Sequence, residues 1–204
     1  MKLIILALCA FGLLAGCATT DQKLNQLTPV EKQAGWVRLF DGESLAGWTP
    51  RDQARWDVVD GAIVYRAGTG PGFLCTTKSY DNFELKVDFW VDTVANSGVF
   101  LRCPISGPIS ATNAYEVNIY DAHLKWPTGS INEIALRQGD IRSAGRWNSY
   151  HITAQGNHLV VRFDGRVVVD THDELEKFGP IGLQQFEGRG MVKFRNIKLK
   201  PLTP

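Results

Sequence analysis

From Phe83 to Val91 the chain alternates with a period of two. Phe83, Leu85, Val87, Phe89 and Val91 share one face, and mainly charged residues share the other. A half-buried antiparallel strand meets both demands at once, and the rest of the chain must supply its partners. Further extended runs are predicted at Ala62–Arg66, Gly98–Arg102, Tyr115–Tyr120, Asn148–Ala154 and Leu159–Phe163. Two Asp-Gly pairs, Asp60-Gly61 and Asp164-Gly165, sit between such runs and predict tight hairpins. The last run, Val192–Leu199, changes parity between Phe194 and Ile197, which a bulge near Arg195-Asn196 would reconcile. Long helical patterns are absent. Asp173–Phe178 has room for one helical turn before Gly179-Pro180 stops it. Many short strands without crossover helices predict an all-β, two-sheet antiparallel sandwich, with barrel closure as the alternative.

The N-terminus obeys a different rule. Met1-Lys2, an apolar run from Leu3 to Ala15 and the small exit Gly16-Cys17 have the layout of a secretory signal. The run is too short for a permanent membrane span. Leu14-Ala15-Gly16-Cys17 looks like a bacterial lipobox, so residues 1–16 are expected to be removed and Cys17 to carry lipid. Ala18 and Thr19 follow it where an inner-membrane retention signal would place aspartate, so the expected location is the outer membrane, lipid-anchored and facing the periplasm. Residues 17–34 are polar and read as a tether, with a short helix predicted where Thr28-Pro29-x-Glu31 offers a cap. The globular domain is placed at 35–201.

Removing sixteen of the 204 residues leaves 188, enough for one domain with a sizeable core. Lys2 leaves with the signal, so the remaining acids and bases balance at 21 each. No net positive field or basic block is present, which argues against a nucleic-acid partner. Cys9 and Cys17 are used up by processing, leaving Cys75 and Cys103, which are compatible with a bridge or with two buried thiols. No CxxC supports a redox or zinc role.

The phrases along the chain fall in a recurrent order. They are Trp36-Val37-Arg38-Leu39-Phe40-Asp41-Gly42-Glu43-Ser44-Leu45-Ala46-Gly47-Trp48, then Trp56–Gly61, Tyr80–Leu85, Asn96–Arg102, Tyr115–Asp121, Trp147–Tyr150, Gly179–Gln184 and Phe194–Ile197. Together they cover nearly all of Trp36–Leu199, and their order resembles the 3-keto-disaccharide hydrolase family. The resemblance implies a concanavalin-like jelly roll with a carbohydrate site on a concave sheet. It also implies an oxidised sugar or glycan as substrate, supplied by an upstream sugar 3-oxidoreductase. A ketone at C3 acidifies the hydrogen on C2, so a base can remove it and the glycosidic oxygen can leave C1; water addition completes net hydrolysis. Direct acid/base hydrolysis by two carboxylates is the rival chemistry.

Glu116 and Asp121 are the favoured acids. On an extended strand Glu116, Asn118 and Tyr120 share the polar face, which is either a sugar-binding cleft or simply a wetted sheet surface. Arg102, permanently charged, is the candidate to hold an enolate or leaving group. Asn96 and Ser97 are candidate sugar ligands in a turn, and the resemblance implies a sugar-facing role for Gln184. Trp126 follows the acidic strand in a loop and is the best candidate to stack on a sugar; Trp90 and Trp147 are equally core candidates. Family members carry a histidine where this chain has Phe186, so His123 becomes the substitute base or the protein a binding-only relative. Glu133 is a weaker loop acid, and His151, His158 and His172 read as structural. A divalent metal is left open as cofactor, because Glu116, Asp121 and His123 offer ligands close in sequence without a diagnostic spacing. The two functional expectations are cleavage of 3-keto-glycosides and non-catalytic glycan binding.

Overall fold

A computed structural model describes residues 23–203. The expected signal segment 1–16 and the lipidation residue Cys17 lie outside the described residues. One helix, α1 (Pro29–Gln33), precedes thirteen strands: β1 (Val37–Arg38), β2 (Trp48–Asp52), β3 (Trp56–Val59), β4 (Ala62–Tyr65), β5 (Gly72–Tyr80), β6 (Phe83–Val91), β7 (Ser97–Leu101), β8 (Tyr115–Ile119), β9 (Trp147–Gln155), β10 (His158–Phe163), β11 (Arg166–His172), β12 (Gly179–Gln185) and β13 (Val192–Pro201). They form two antiparallel sheets. The larger has the order β11-β10-β9-β6-β13-β4-β3, with β1 beside β13; the smaller has the order β2-β5-β12-β7-β8. This is the predicted two-sheet sandwich.

The core lies between the sheets. β6 sits in the middle of the larger sheet, and its five alternating apolar residues are all buried. They are met by Leu74 of β5, Val99 and Leu101 of β7, Tyr115, Val117 and Ile119 of β8, and Ile181 and Leu183 of β12. Burying each such aliphatic or aromatic side chain contributes roughly 1.5–3 kcal/mol, so this alternation locks the register in which β6 sits. The smaller sheet therefore turns Phe73, Cys75, Phe100, Glu116, Asn118, Gly182 and Gln184, which interleave with those core residues, to its other face.

Turn chemistry follows the sequence closely. Asp60 and Gly61 (φ 50° and 70°) join β3 to β4, and Asp164 and Gly165 (φ 45° and 82°) join β10 to β11. Positive φ at both central residues is what a two-residue hairpin needs to match strand twist. The β6–β13 register shifts between Arg195 and Lys198, with Asn196 at φ 52°, so the predicted bulge is present. Asn25 clamps it: the Asn25 Oδ1 accepts from the Asn196 amide at 2.8 Å, and the Asn25 amide donates to Asn196 Oδ1 at 2.7 Å.

Two local expectations change. Asp173–Phe178 forms no helical turn, and Gly179-Pro180 opens β12 instead of ending a helix. Pro180 is tolerated because it stands where the β12–β5 register shifts. The described part of the expected tether, from Lys23 onward, is docked on the larger sheet. Thr28 and Glu31 form a capping box, and Glu31 also pairs with Lys198 at 2.9 Å on β13. Cys75 and Cys103 are free and buried, which settles the choice between bridge and thiols. Among the described residues no helix is long and apolar enough to cross a membrane.

Candidate active site

The outward face of the smaller sheet carries two cross-strand rows. Phe73, Gln184, Gly98 and Asn118 form one; Cys75, Gly182, Phe100 and Glu116 form the next. Gly98 and Gly182, in the centre of the sheet, make room for the neighbouring Glu116 and Phe100 side chains and for the Cys75 and Cys103 sulfurs. Above this face, residues 109–111 and the side chains of His123, Asn132 and Phe186 complete a cavity of about 580 Å³.

Glu116 lies deep in this cavity and is only 6% exposed. Its Oε2 accepts from Asn132 Nδ2 at 2.6 Å. The side chain leans over Gly98, where an added Cβ would stand 3.0 Å from both Glu116 Cγ and Oε1. Gly98 is thus the residue that lets the carboxylate swing toward the centre of the sheet. Glu116 forms no ion pair among the described residues. Burial, only partly offset by the Asn132 hydrogen bond, pushes its pKa up to about 7. A carboxylate poised there is a competent base at neutral pH.

Asn132 reaches Glu116 because the chain doubles back along the open edge of β8. The Asn118 amide donates to the Ser130 carbonyl at 3.0 Å, and the Asn132 amide donates to the Glu116 carbonyl at 2.9 Å. An isolated bridge joins Val117 to Ile131 between them. The returning segment covers the sheet edge and fixes the asparagine in one step. Nothing local in the sequence marks Asn132 for this role, since its partner lies 16 positions away.

His123 lines the same cavity. Its Nδ1 accepts from the amides of Trp126 at 2.9 Å and Lys125 at 3.2 Å. With Nδ1 committed as acceptor, the neutral ring carries its proton on Nε2, which is free to donate. The Tyr120 ring meets the imidazole edge-on, at 6.4 Å between centroids, and steadies it. Asn96 and Gln184 also line the cavity. The Oε1 of Gln184 is buried without a hydrogen-bond partner.

The other candidates are placed elsewhere. Arg102, 1% exposed, donates to the carbonyls of Asp81, Gly156 and Glu176 at 2.6–2.9 Å and lies 6.0 Å from the Tyr115 ring. It does not line the cavity. Its φ of 55° reverses the strand alternation, so parity with Gly98 and Phe100 ends before it. Asp121 accepts from the Ser143 amide and hydroxyl, both at 2.8 Å, and from the Ala144 amide at 3.2 Å. Burial raises its pKa, but those donors and Thr128 outweigh it and the net shift is downward. This ionised aspartate pins the 143–144 segment and is not a cavity acid.

Ser97 faces the strand beside it, its hydroxyl donating to the Gln184 carbonyl at 2.6 Å. Asn118 is sealed under the returning segment, donating to the Trp126 carbonyl. Neither these two nor Tyr120 and Trp126 line the cavity. Trp126 packs under Lys125 Nζ, 4.8 Å from its ring centroid. Trp90 and Trp147 belong to the larger sheet, each capped by a cation, Lys193 and Arg195 respectively. Glu133 pairs at 3.8 Å with Lys125 on the surface, and His151 bonds Glu84 at 2.7 Å. Among the described residues no three His, Cys, Asp or Glu side chains converge as metal ligands. Glu116, Asp121 and His123 have separate partners, so they do not fit a shared metal and no step is routed through one.

Residues 35–200 match a family described as the 3-keto-alpha-glucoside-1,2-lyase-like domain. A protein of Bacteroides thetaiotaomicron named 3-keto-disaccharide hydrolase is 26% identical over 124 residues, 47% of this chain and 42% of that protein. The matched stretch thus spans less than half the length of that relative. A putative glycosyl hydrolase from Parabacteroides distasonis superposes with a TM-score of 0.78 at 22% identity, covering 89% of this chain and all of that one. The carbohydrate-binding module CBM66 from Bacillus subtilis gives 0.61 at 21% identity, covering 76% and 95%. At these identities the two structural likenesses establish the fold.

Proposed function

This chain belongs to the 3-keto-alpha-glucoside-1,2-lyase-like domain family, and from that membership we propose that it cleaves 3-keto-glycosides by elimination followed by hydration. The observation that carries the reading is Glu116, buried on the floor of a sugar-sized cavity with no ion-pair partner among the described residues and a pKa of about 7. Glu116 takes the hydrogen from C2, and the electron pair moves into the C3 carbonyl as an enolate. As the enolate collapses, the C1–O bond breaks and the departing oxygen collects a proton from His123 Nε2. Water then adds across the enone, completing net hydrolysis. Gln184 and Asn96 hold sugar hydroxyls, and Asn132 orients the base. The other carboxylate that lines the cavity, Asp52, stands on β2, four strand spacings of about 4.8 Å from Glu116 on β8. That is beyond the roughly 6.5–9.5 Å that two-carboxylate hydrolysis needs, and Asp121 is committed elsewhere, which favours the elimination.

The substrate requires a prior step that oxidises the sugar hydroxyl at C3, so we place the protein downstream of a sugar 3-oxidoreductase. We keep the lipid anchor at Cys17 and an outer-membrane, periplasm-facing location as part of this proposal, on the strength of Leu14-Ala15-Gly16-Cys17. The test is incubation with a 3-keto-glucoside and with its unoxidised parent. Turnover of the ketone alone is expected; turnover of neither, or of both equally, contradicts the elimination. Glycan binding without catalysis is the second reading, favoured by Phe186 in place of the family histidine. It predicts saturable binding of sugars with no turnover.

A further inference from the structure

The cavity has two chemically different ends. Toward β8 it is polar, with Glu116, Asn132 and His123; toward β5 it presents the apolar Pro71, Phe73 and Phe186, with Asp52, Gln184 and Gln185 beside them. Phe73 and Phe100 meet edge-to-face at 5.0 Å between centroids, at an angle of 86°. Beneath them Gly182 has no side chain, and an added Cβ would stand 3.1 Å from Cys103 Sγ, 3.6 Å from Cys75 Sγ and 3.4 Å from Phe100 Cβ. The Phe73 and Phe100 rings therefore form the floor at this end, with the two sulfurs buried behind them. Phe186 stands at its rim, 56% exposed, and its amide donates to the Asn96 carbonyl at 2.9 Å. That bond fixes the backbone while leaving the ring facing open space.

A sugar bound with C2 at Glu116 leaves the rest of the cavity to whatever is attached through the C1 oxygen. The volume of about 580 Å³ is that of a site for a drug-sized ligand. The Phe73, Phe100 and Phe186 rings offer nothing to the hydroxyls of a second sugar and reward a ring with few polar groups. Resting on the elimination reading above, we infer that the preferred substrates carry an aromatic aglycone, and that Phe186 is the platform on which its ring stacks.

The comparison is between benzyl and methyl 3-keto-glucosides of one anomeric configuration, whose alcohol leaving groups are alike in chemistry and differ by the ring. The wild-type protein should show a KM about tenfold lower for the benzyl compound. Phe186→Ala should erase that ratio, and Phe186→Tyr should restore it, which a folding defect would not do. Equal KM values in the wild type, or a ratio that survives Phe186→Ala, would overturn the inference. Calorimetry with the unoxidised benzyl and methyl glucosides separates the two layers. If no keto-sugar is cleaved but benzyl binding remains tighter and depends on Phe186, the elimination falls and the platform stands. If keto-sugars are cleaved without a benzyl preference, the platform falls and the elimination stands.

Discussion

At the scale of single residues, Glu116 links activity to stability. Its ordinary pKa is 4.5 and the folded protein raises it to about 7, chiefly by burial. A carboxyl whose folded pKa is raised contributes stability that is fully present below pH 4.5 and is lost as pH climbs through 7. The ionised base is thus a burden the fold carries above neutrality. Glu116→Gln keeps an acceptor for Asn132 and removes the charge, so it should stabilise the protein at pH 8.5 by on the order of 3 kcal/mol. The gain should vanish near pH 4.5. Urea unfolding at both pH values measures it, and a variant less stable than the wild type at pH 8.5 would contradict the burial argument. The sequence reading named Glu116, His123 and Asn96, and through the family resemblance Gln184, and these four line the cavity. It misplaced Arg102 because alternation assumes extended backbone at every step, and a φ of 55° breaks that assumption invisibly. Asn132 escaped notice because a hydrogen bond between a returning loop and a strand leaves no periodic trace.

At the scale of elements, the most legible strand was one with a wet face, although β7 and β8, buried throughout, were also predicted, as Gly98–Arg102 and Tyr115–Tyr120. β6 alternates buried and half-buried residues along its whole length, and its boundaries were predicted to the residue. β12 is buried on both sides throughout, as is the first half of β5. A strand roofed by a binding cavity loses the period-two signal, so the centre of the functional sheet was the hardest part to find from residues alone. Turns and the bulge were legible because their backbone geometry selects residue types directly. The bulge in β13 depends on Asn25, whose Nδ2 also donates to the Gly61 carbonyl at 2.8 Å. Asn25→Ala removes both side-chain bonds and leaves alanine at φ 57°. It should cost about 2 kcal/mol and lower Tm by roughly 4 °C. Calorimetric scanning tests this, and an unchanged Tm would show that the bulge needs no clamp.

At the scale of the whole molecule, the two sheets divide the labour. Both send alternate residues into the core; the larger adds the N-terminal docking, while the smaller gives its outer face to a cavity. Two glycines in its central strands make room for their neighbours, Gly98 for the Glu116 side chain and Gly182 for Phe100 and the Cys75 and Cys103 sulfurs. A lectin-like sandwich becomes a catalyst in this account through one change of environment: a strand carboxylate is taken out of water and, among the described residues, left without a cation. The direct test is exchange of the C2 hydrogen of methyl 3-keto-glucoside for deuterium, followed by NMR in deuterated water, with wild-type protein and Glu116→Gln at matched saturation. The wild type should speed exchange increasingly as pH rises through about 7, and Glu116→Gln should slow it at least a hundredfold while still binding the sugar. Exchange in the variant at the wild-type rate would contradict the assignment of Glu116 as the base.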